Sequence, residues 1–199
     1  LIASENPDRL RDQAGKVKLD YEELPGIFHY ESSIASNAMN LHEHGNVGVK
    51  YKLRRGDTEA MLLQCPHRMI RHFQTQYQEQ MYLEPVGAIA VPSPDSITIY
   101  GTMQCPFYVR KAVARVIGYP LSRVRVIQTA TGGGFGGKED VPNEICSAAA
   151  VLALRTGRPV KIVYDREEDI CRTSKRHPYF MRYEYGFDSL GKLIAARAE

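Results

Sequence analysis

The spacing of apolar residues changes character along this chain, and each change predicts a different kind of element. Near the start, Asn6 can cap a short helix with Pro7 at its first position and Gly15 at its end. Val17, Leu19 and Tyr21 then alternate with polar neighbours as on a half-buried strand, which Leu24, Pro25 and Gly26 close. Residues 1–26 therefore read as the C-terminal end of a preceding α/β unit. Residues 27–48 are rich in Ser, Asn, His and Gly with no sustained period and read as a linker, so that 49–199 form the next domain. Strand-like segments return at Val49 to Leu53 and at Phe73, Thr75 and Tyr77. A hairpin is predicted where Val86 to Val91 and Ile97 to Tyr100 flank the turn residues Pro92, Ser93, Pro94 and Asp95.

Beyond the hairpin, helices and strands alternate. Pro106 opens a helix whose Val109, Val113, Val116 and Ile117 share a face, and Gly118 with Pro120 stops it. Val124 and Val126 form a strand that runs into the loop Gly132–Gly133–Gly134–Phe135–Gly136–Gly137. Pro142 starts a second helix, which Gly157 and Pro159 end. Its small residues Ala148, Ala149, Ala150 and Ala153 permit close approach to a neighbouring backbone, so it is expected to be buried. Val160, Ile162 and Tyr164 read as a further strand. The fold class is α/β to α+β, a mixed sheet with helices, and no doubly wound strand order follows from the pattern.

At 199 residues, 43% hydrophobic and 25% charged, the chain can bury a core of one domain or one and a half. It opens at Leu1 without methionine and reads as a piece of something longer. No apolar run approaches a membrane span. Net charge is only +3, and the basic excess between Arg155 and Arg182 is interrupted by Asp165, Glu167, Glu168 and Asp169, the pattern of a solvated face, not a nucleic-acid footprint. Cys65, Cys105, Cys146 and Cys171 lie tens of residues apart with no CxxC pair, which argues against structural zinc or an iron–sulfur cluster here and fits free thiols in a cytoplasmic protein. His42, Glu43 and His44, or Cys65, His67 and His72, lack further ligands at matching spacing and read as loop and surface residues.

The glycine loop has three readings. Gly132, Gly134 and Gly137 satisfy GxGxxG between a strand and a helix, as in a Rossmann dinucleotide site, but Arg155 to Arg158 stand where the ribose-binding acid belongs. Gly132, Gly137 and Lys138 fit a Walker A loop, but Glu139 replaces the hydroxyl residue that would ligate magnesium. In the third reading, the run from Gly132 to Glu139 resembles the molybdopterin-site loop of the xanthine dehydrogenase and aldehyde oxidase family. Other motifs agree in order: Tyr82–Leu83–Glu84–Pro85, Thr102–Met103–Gln104, Asp165–Arg166–Glu167–Glu168–Asp169 and Arg176–His177–Pro178.

This resemblance implies that residues 1–26 close a preceding hammerhead-like domain and that 49–199 are the N-terminal part of a molybdopterin-binding domain. It implies a molybdenum hydroxylase that hydroxylates a C–H carbon of a purine, a similar N-heterocycle or an aldehyde, with oxygen from water. By motif position Gln104 and the backbone N–H of Phe135 would meet oxygen ligands of molybdenum, and Gly134, Phe135 and Gly136 would border the cofactor, molybdopterin in dinucleotide form. Glu139 would orient the substrate. The catalytic base, a glutamate, would lie outside this chain, as would the iron–sulfur and FAD modules or subunits and the remainder of the large subunit, leaving this piece inert alone. No role follows for Lys138, Glu84 is expected to tie the turn at Pro85, and a non-catalytic interaction module of the same shape stays open beside the enzyme.

Overall fold

Local capping chemistry places most helices. In the computed structural model, which describes residues 1–199 apart from the side chain of Arg11, the Asn6 side chain accepts from the Asp8 N–H and Pro7 opens a 3-10 turn leading into α1 (Leu10–Ala14). No strand follows. Val17, Leu19 and Tyr21 lie in exposed coil, as do Val49, Tyr51 and Leu53, the last 99% exposed. Alternation fits a strand to two faces, but a strand forms only where a neighbour supplies the ladder. Before the first strand, two short helices were not anticipated: α2 (Tyr30–Ile34), and α3 (Thr58–Gln64), which is capped by the Asp57 carboxylate accepting from the Ala60 N–H. The segment predicted around Phe73 to Tyr77 is instead β1 (His67–Gln74), displaced towards the N-terminus.

The hairpin forms as β2 (Gly87–Ser93) and β3 (Ser96–Gly101), with Pro92 and Ser93 inside the strand and a tighter turn at Pro94 and Asp95. Then come α4 (Pro106–Ile117), β4 (Val124–Gln128), α5 (Pro142–Thr156), β5 (Val160–Val163), α6 (Arg166–Arg172), β6 (Phe180–Phe187) and β7 (Leu193–Ala198). Pro106 and Pro142 occupy first-turn positions, and Gly118 and Gly157 end their helices in the left-handed region, as predicted. On α4, Val109, Val113 and Ala114 are buried while Val116 is exposed. The buried stripe runs towards Ala114 and Ile117 and leaves Val116 at its rim.

The chain divides into two units, Leu1–Val17 with Thr75–Tyr179 and Lys18–Gln74 with Phe180–Glu199. The first holds a mixed sheet of order β4-β3-β2-β5, in which β4 runs parallel to β3 and the other pairs are antiparallel. Helices α4 and α5 pack on it around Ile97, Ile99, Val109, Val113 and Ile145. Cys146, Ala149, Ala150 and Ala153 of α5 are fully buried and meet Ala88 and Ala90 of β2, so helix and sheet approach closely on small side chains. Burial pushes the Cys146 thiol up to about 12.

The second unit is a sheet of order β1-β6-β7 covered by α3, whose buried Leu62 lies against Gly186. Near its middle Glu184, 1% exposed, pairs with Arg68, with Arg182 at 3.3 Å and with Arg197 at 3.6 Å. The Arg68 guanidinium first, and Arg182 with it, hold the Glu184 carboxyl below its ordinary range against the opposing effect of desolvation. Because the folded value is depressed, its stabilisation is complete above the unfolded glutamate pKa of about 4.3 and is lost as pH falls through the lower folded value. Acid titration of unfolding should therefore show the gap between the parent sequence and Glu184→Gln closing below about pH 4. A gap independent of pH would show that the cluster does not titrate in this way.

Candidate functional site

The loop between β4 and α5 is built by the side chains beneath it. A Cβ on Gly134 would lie 2.5 Å from Gln104 Oε1, one on Gly132 would lie 2.6 Å from the Glu84 Cβ, and one on Gly137 would lie 2.8 Å from the Tyr82 ring. Glycine is required at these positions because the backbone is pressed onto Gln104, Glu84 and Tyr82. Gly133 and Gly136 take positive φ, and Phe135 between them does so too at 53°. That costs a side-chain residue of order 1 kcal/mol or more, so the packed surroundings hold it there.

Most donors of the loop are already committed. The Gly132 N–H donates to Glu84 Oε2 at 2.7 Å, Gly137 to the Gly134 carbonyl at 2.7 Å, and Gly136 and Lys138 to Gln104 Oε1 at 3.0 and 3.1 Å. A phosphate cradle needs those N–H groups free and aimed at the anion. Here Glu84, Gln104 and the Gly134 carbonyl take the N–H groups of Gly132, Gly136, Gly137 and Lys138, and α5 begins only at Pro142, so the loop does not run into the helix start that the Rossmann and Walker sites require. Among the described residues the Phe135 N–H has no partner, and neither has the Gln104 Nε2 group. Two N–H donors on Oε1 fix which end of the amide is which, so Nε2 is the end left to donate elsewhere.

Lys138, for which the sequence offers no role, is fully buried. Its ammonium lies 3.0 Å from Glu84 Oε2 and 4.6 Å from the centroid of the Tyr82 ring. Its carbonyl accepts from the Gln104 N–H at 2.7 Å, so one residue grips Gln104 from both sides. Glu84 ties the glycine loop and Lys138, not the turn at Pro85 as expected.

Under this lies a second tier that the sequence showed only as motifs without a physical reason. Asp165 and Glu168 form a capping box at the start of α6, which presents Asp169 inward. The fully buried Asp169 carboxylate accepts from the Tyr82 hydroxyl and the Val86 N–H, both at 2.7 Å, while Arg166 Nη2 donates to the Tyr82 and Leu83 carbonyls. Burial, then Asp169, raises the Tyr82 phenol above its usual value. Arg176 pairs its backbone with Gln78, and no role emerges for His177. Gln80, also missed, packs against Gly137 with a buried Oε1 that has no donor among the described residues.

Glu139 is exposed and makes no hydrogen bond or ion pair among the described residues. It stands ahead of α5, whose first-turn acid is Glu144. The Phe135 ring is 75% exposed and is no part of the core. His42, Glu43 and His44, and Cys65, His67 and His72, belong to no group of three or more side chains able to hold a metal among the described residues. No described helix is long and apolar enough to cross a membrane.

Residues 41–199 match the family described as molybdopterin cofactor-binding domain. The chain belongs to this family. Among its relatives, the nicotinate dehydrogenase large molybdopterin subunit of Eubacterium barkeri is 34% identical over 200 residues, 100% of this chain and 47% of that protein. Xanthine dehydrogenase 1 of Arabidopsis thaliana is 34% identical over 203 residues, 100% of this chain and 14% of that protein. The molybdopterin-domain fold recurs in the aldehyde oxidoreductase from Desulfovibrio gigas, with a TM-score of 0.87 at 24% identity over 98% of this chain and 22% of that one. Reconstituted CO dehydrogenase from Oligotropha carboxidovorans gives 0.81 at 26% identity, over 96% of this chain and 26% of that one. The chain thus spans about half or less of the relatives it matches. This molybdopterin-binding domain is of the xanthine dehydrogenase and aldehyde oxidase type, as its motifs implied.

Proposed function

We propose that the chain forms one wall of the active site of a molybdenum hydroxylase whose parent polypeptide hydroxylates a C–H carbon of an N-heterocycle or an aldehyde with oxygen from water. Residues 1–26 would close a preceding domain, 27–48 would link it, and 49–199 would open the cofactor domain. When bound, molybdopterin in its dinucleotide form supplies the redox chemistry, in which substrate and water give hydroxylated product, two protons and two electrons, the electrons leaving to iron–sulfur and FAD modules or subunits.

The observation that carries this reading is the Gln104 carboxamide, whose oxygen is consumed by the loop and whose Nε2 is free to donate, beside the unpartnered Phe135 N–H. Both are neutral donors, suited to oxygen ligands on a centre that tolerates no added negative charge. Gly136 beside them faces open space, since a Cβ there would meet nothing within 4 Å. Glu139, unengaged and exposed, would accept from ring N–H groups of a substrate. Its presence, with nicotinate and xanthine in the names of relatives, favours an N-heterocycle. The catalytic base would come from outside this chain, so the piece alone would be inert, and the parent would work in the cytoplasm.

The test uses the full-length parent. Gln104→Ala should keep its fold and cofactor content and lose turnover by about 10–100-fold, the usual size for an outer ligand-orienting group. Full activity would remove Gln104 from the site, and a parent purified from its host without molybdenum would overturn the enzyme reading in favour of an interaction module. Glu139→Ala should raise KM for heterocycles and leave an aldehyde substrate little affected; unchanged heterocycle kinetics would refute the substrate role.

A further inference from the structure

We propose that Lys138 is a positioning residue, and that the Glu84–Lys138 pair on the Tyr82 ring sets the direction in which the Gln104 amide donates. The inference rests on the role proposed above for Gln104. Lys138 is the residue through which the two ties of the loop meet. Its backbone N–H and carbonyl hold Gln104 on both sides, at Oε1 and at the main-chain N–H. Its ammonium, buried beneath, is fixed by the Glu84 carboxylate and by the face of Tyr82. The same Glu84 oxygen takes the Gly132 N–H at the other end of the loop.

The loop is therefore closed at both ends by one ion pair, with Gln104 gripped inside it. Charge and geometry agree on this role. A lysine whose positive charge is met by Glu84 and an aromatic face inside the protein contributes no free cation to the cofactor. What it contributes is orientation: loss of the ammonium frees the Glu84 side chain, lets the Gly132 end and the Lys138 backbone shift, and rotates the amide they hold. Residues that orient the groups around a metal act with this kind of leverage.

In the full-length holoenzyme, Lys138→Met keeps an unbranched chain over Tyr82 and removes the charge, while the Glu84 side chain, 38% exposed, can be met by water. The expected result is unchanged molybdenum content, kcat lowered by about 10–100-fold, KM for substrate nearly constant, and a shifted paramagnetic resonance spectrum of the partly reduced metal. Glu84→Gln, which keeps an acceptor for Gly132, should move the same spectrum in the same direction, and the double variant should be no worse than the poorer single one. If Lys138→Met does not fold, Glu84→Gln alone decides. A parental spectrum and kcat in whichever variant folds, or losses that multiply in the double variant, would overturn the proposal. Gln104→Ala measured alongside separates the two claims. If that variant is fully active, the role of Gln104 fails; if it is impaired while Lys138 and Glu84 variants are not, only the positioning role fails.

Discussion

Asp169→Ala is expected to destabilise the first unit by roughly 3 kcal/mol, because it strips a buried charge-assisted acceptor from two donors at once. The Tyr82 hydroxyl and the Val86 N–H both end on this carboxylate, and neither Tyr82 nor Val86 is more than 1% exposed, so no solvent replaces it. Chemical denaturation should show the loss, and hydrogen exchange should place it at Val86 and along β2. Tyr82→Phe should cost only about 1 kcal/mol, since the ring under Lys138 remains. The two substitutions share one hydrogen bond, so their combined effect should fall short of the sum. Additive losses, or a silent Asp169→Ala, would show that α6 does not anchor the segment carrying Tyr82 and Glu84.

Gly134→Ala should sharply lower turnover of the full-length parent. Its Cβ would stand 2.5 Å from Gln104 Oε1 and 2.8 Å from Cδ, so the carboxamide must swing away and release the Gly136 and Lys138 N–H groups. The stability cost is that of two neutral hydrogen bonds, about 1–3 kcal/mol. The catalytic cost, under the role proposed for Gln104, is of order a hundredfold in kcat, since displacement by about 1 Å is enough for that. Gly118→Ala, at the end of α4 and outside the loop, is the control: its Cβ would meet nothing within 4 Å, and its penalty comes from φ of 71° alone. Equal kcat in Gly134→Ala and the parent would show that the Gln104 amide has no defined direction to lose.

What the chain announces locally, it announces well. Pro106 with Gly118 and Pro142 with Gly157 bound the two long helices where the sequence predicts, because caps act within a turn of the residue that makes them. The alanines of α5 likewise foretell a close contact. The period-two runs at Val17–Tyr21 and Val49–Leu53 mislead, since a ladder is supplied from elsewhere or not at all. In the site, Gln104 and the loop are visible as motifs, but the purpose of the glycines is not. Gly132, Gly134 and Gly137 let the side chains of Glu84, Gln104 and Tyr82 approach the loop, which no spacing of glycines announces. No role could be read for Lys138 because its partner Glu84 lies 54 residues away, and Asp169 reaches Val86 across 83 residues. Pairings at that range are set by the sheet, and no window along the sequence contains them.

The engagement of part of the glycine loop by its own neighbours has a consequence for timing. A loop whose N–H groups at Gly132, Gly136, Gly137 and Lys138 are engaged without any ligand, with the Phe135 N–H left over, is ordered by its own neighbours before a ligand arrives. Its conformational entropy is lost once, as the domain folds, and not again at each encounter with substrate. Under the proposed function, this wall would be set before substrate arrives, and any closure would fall to other segments.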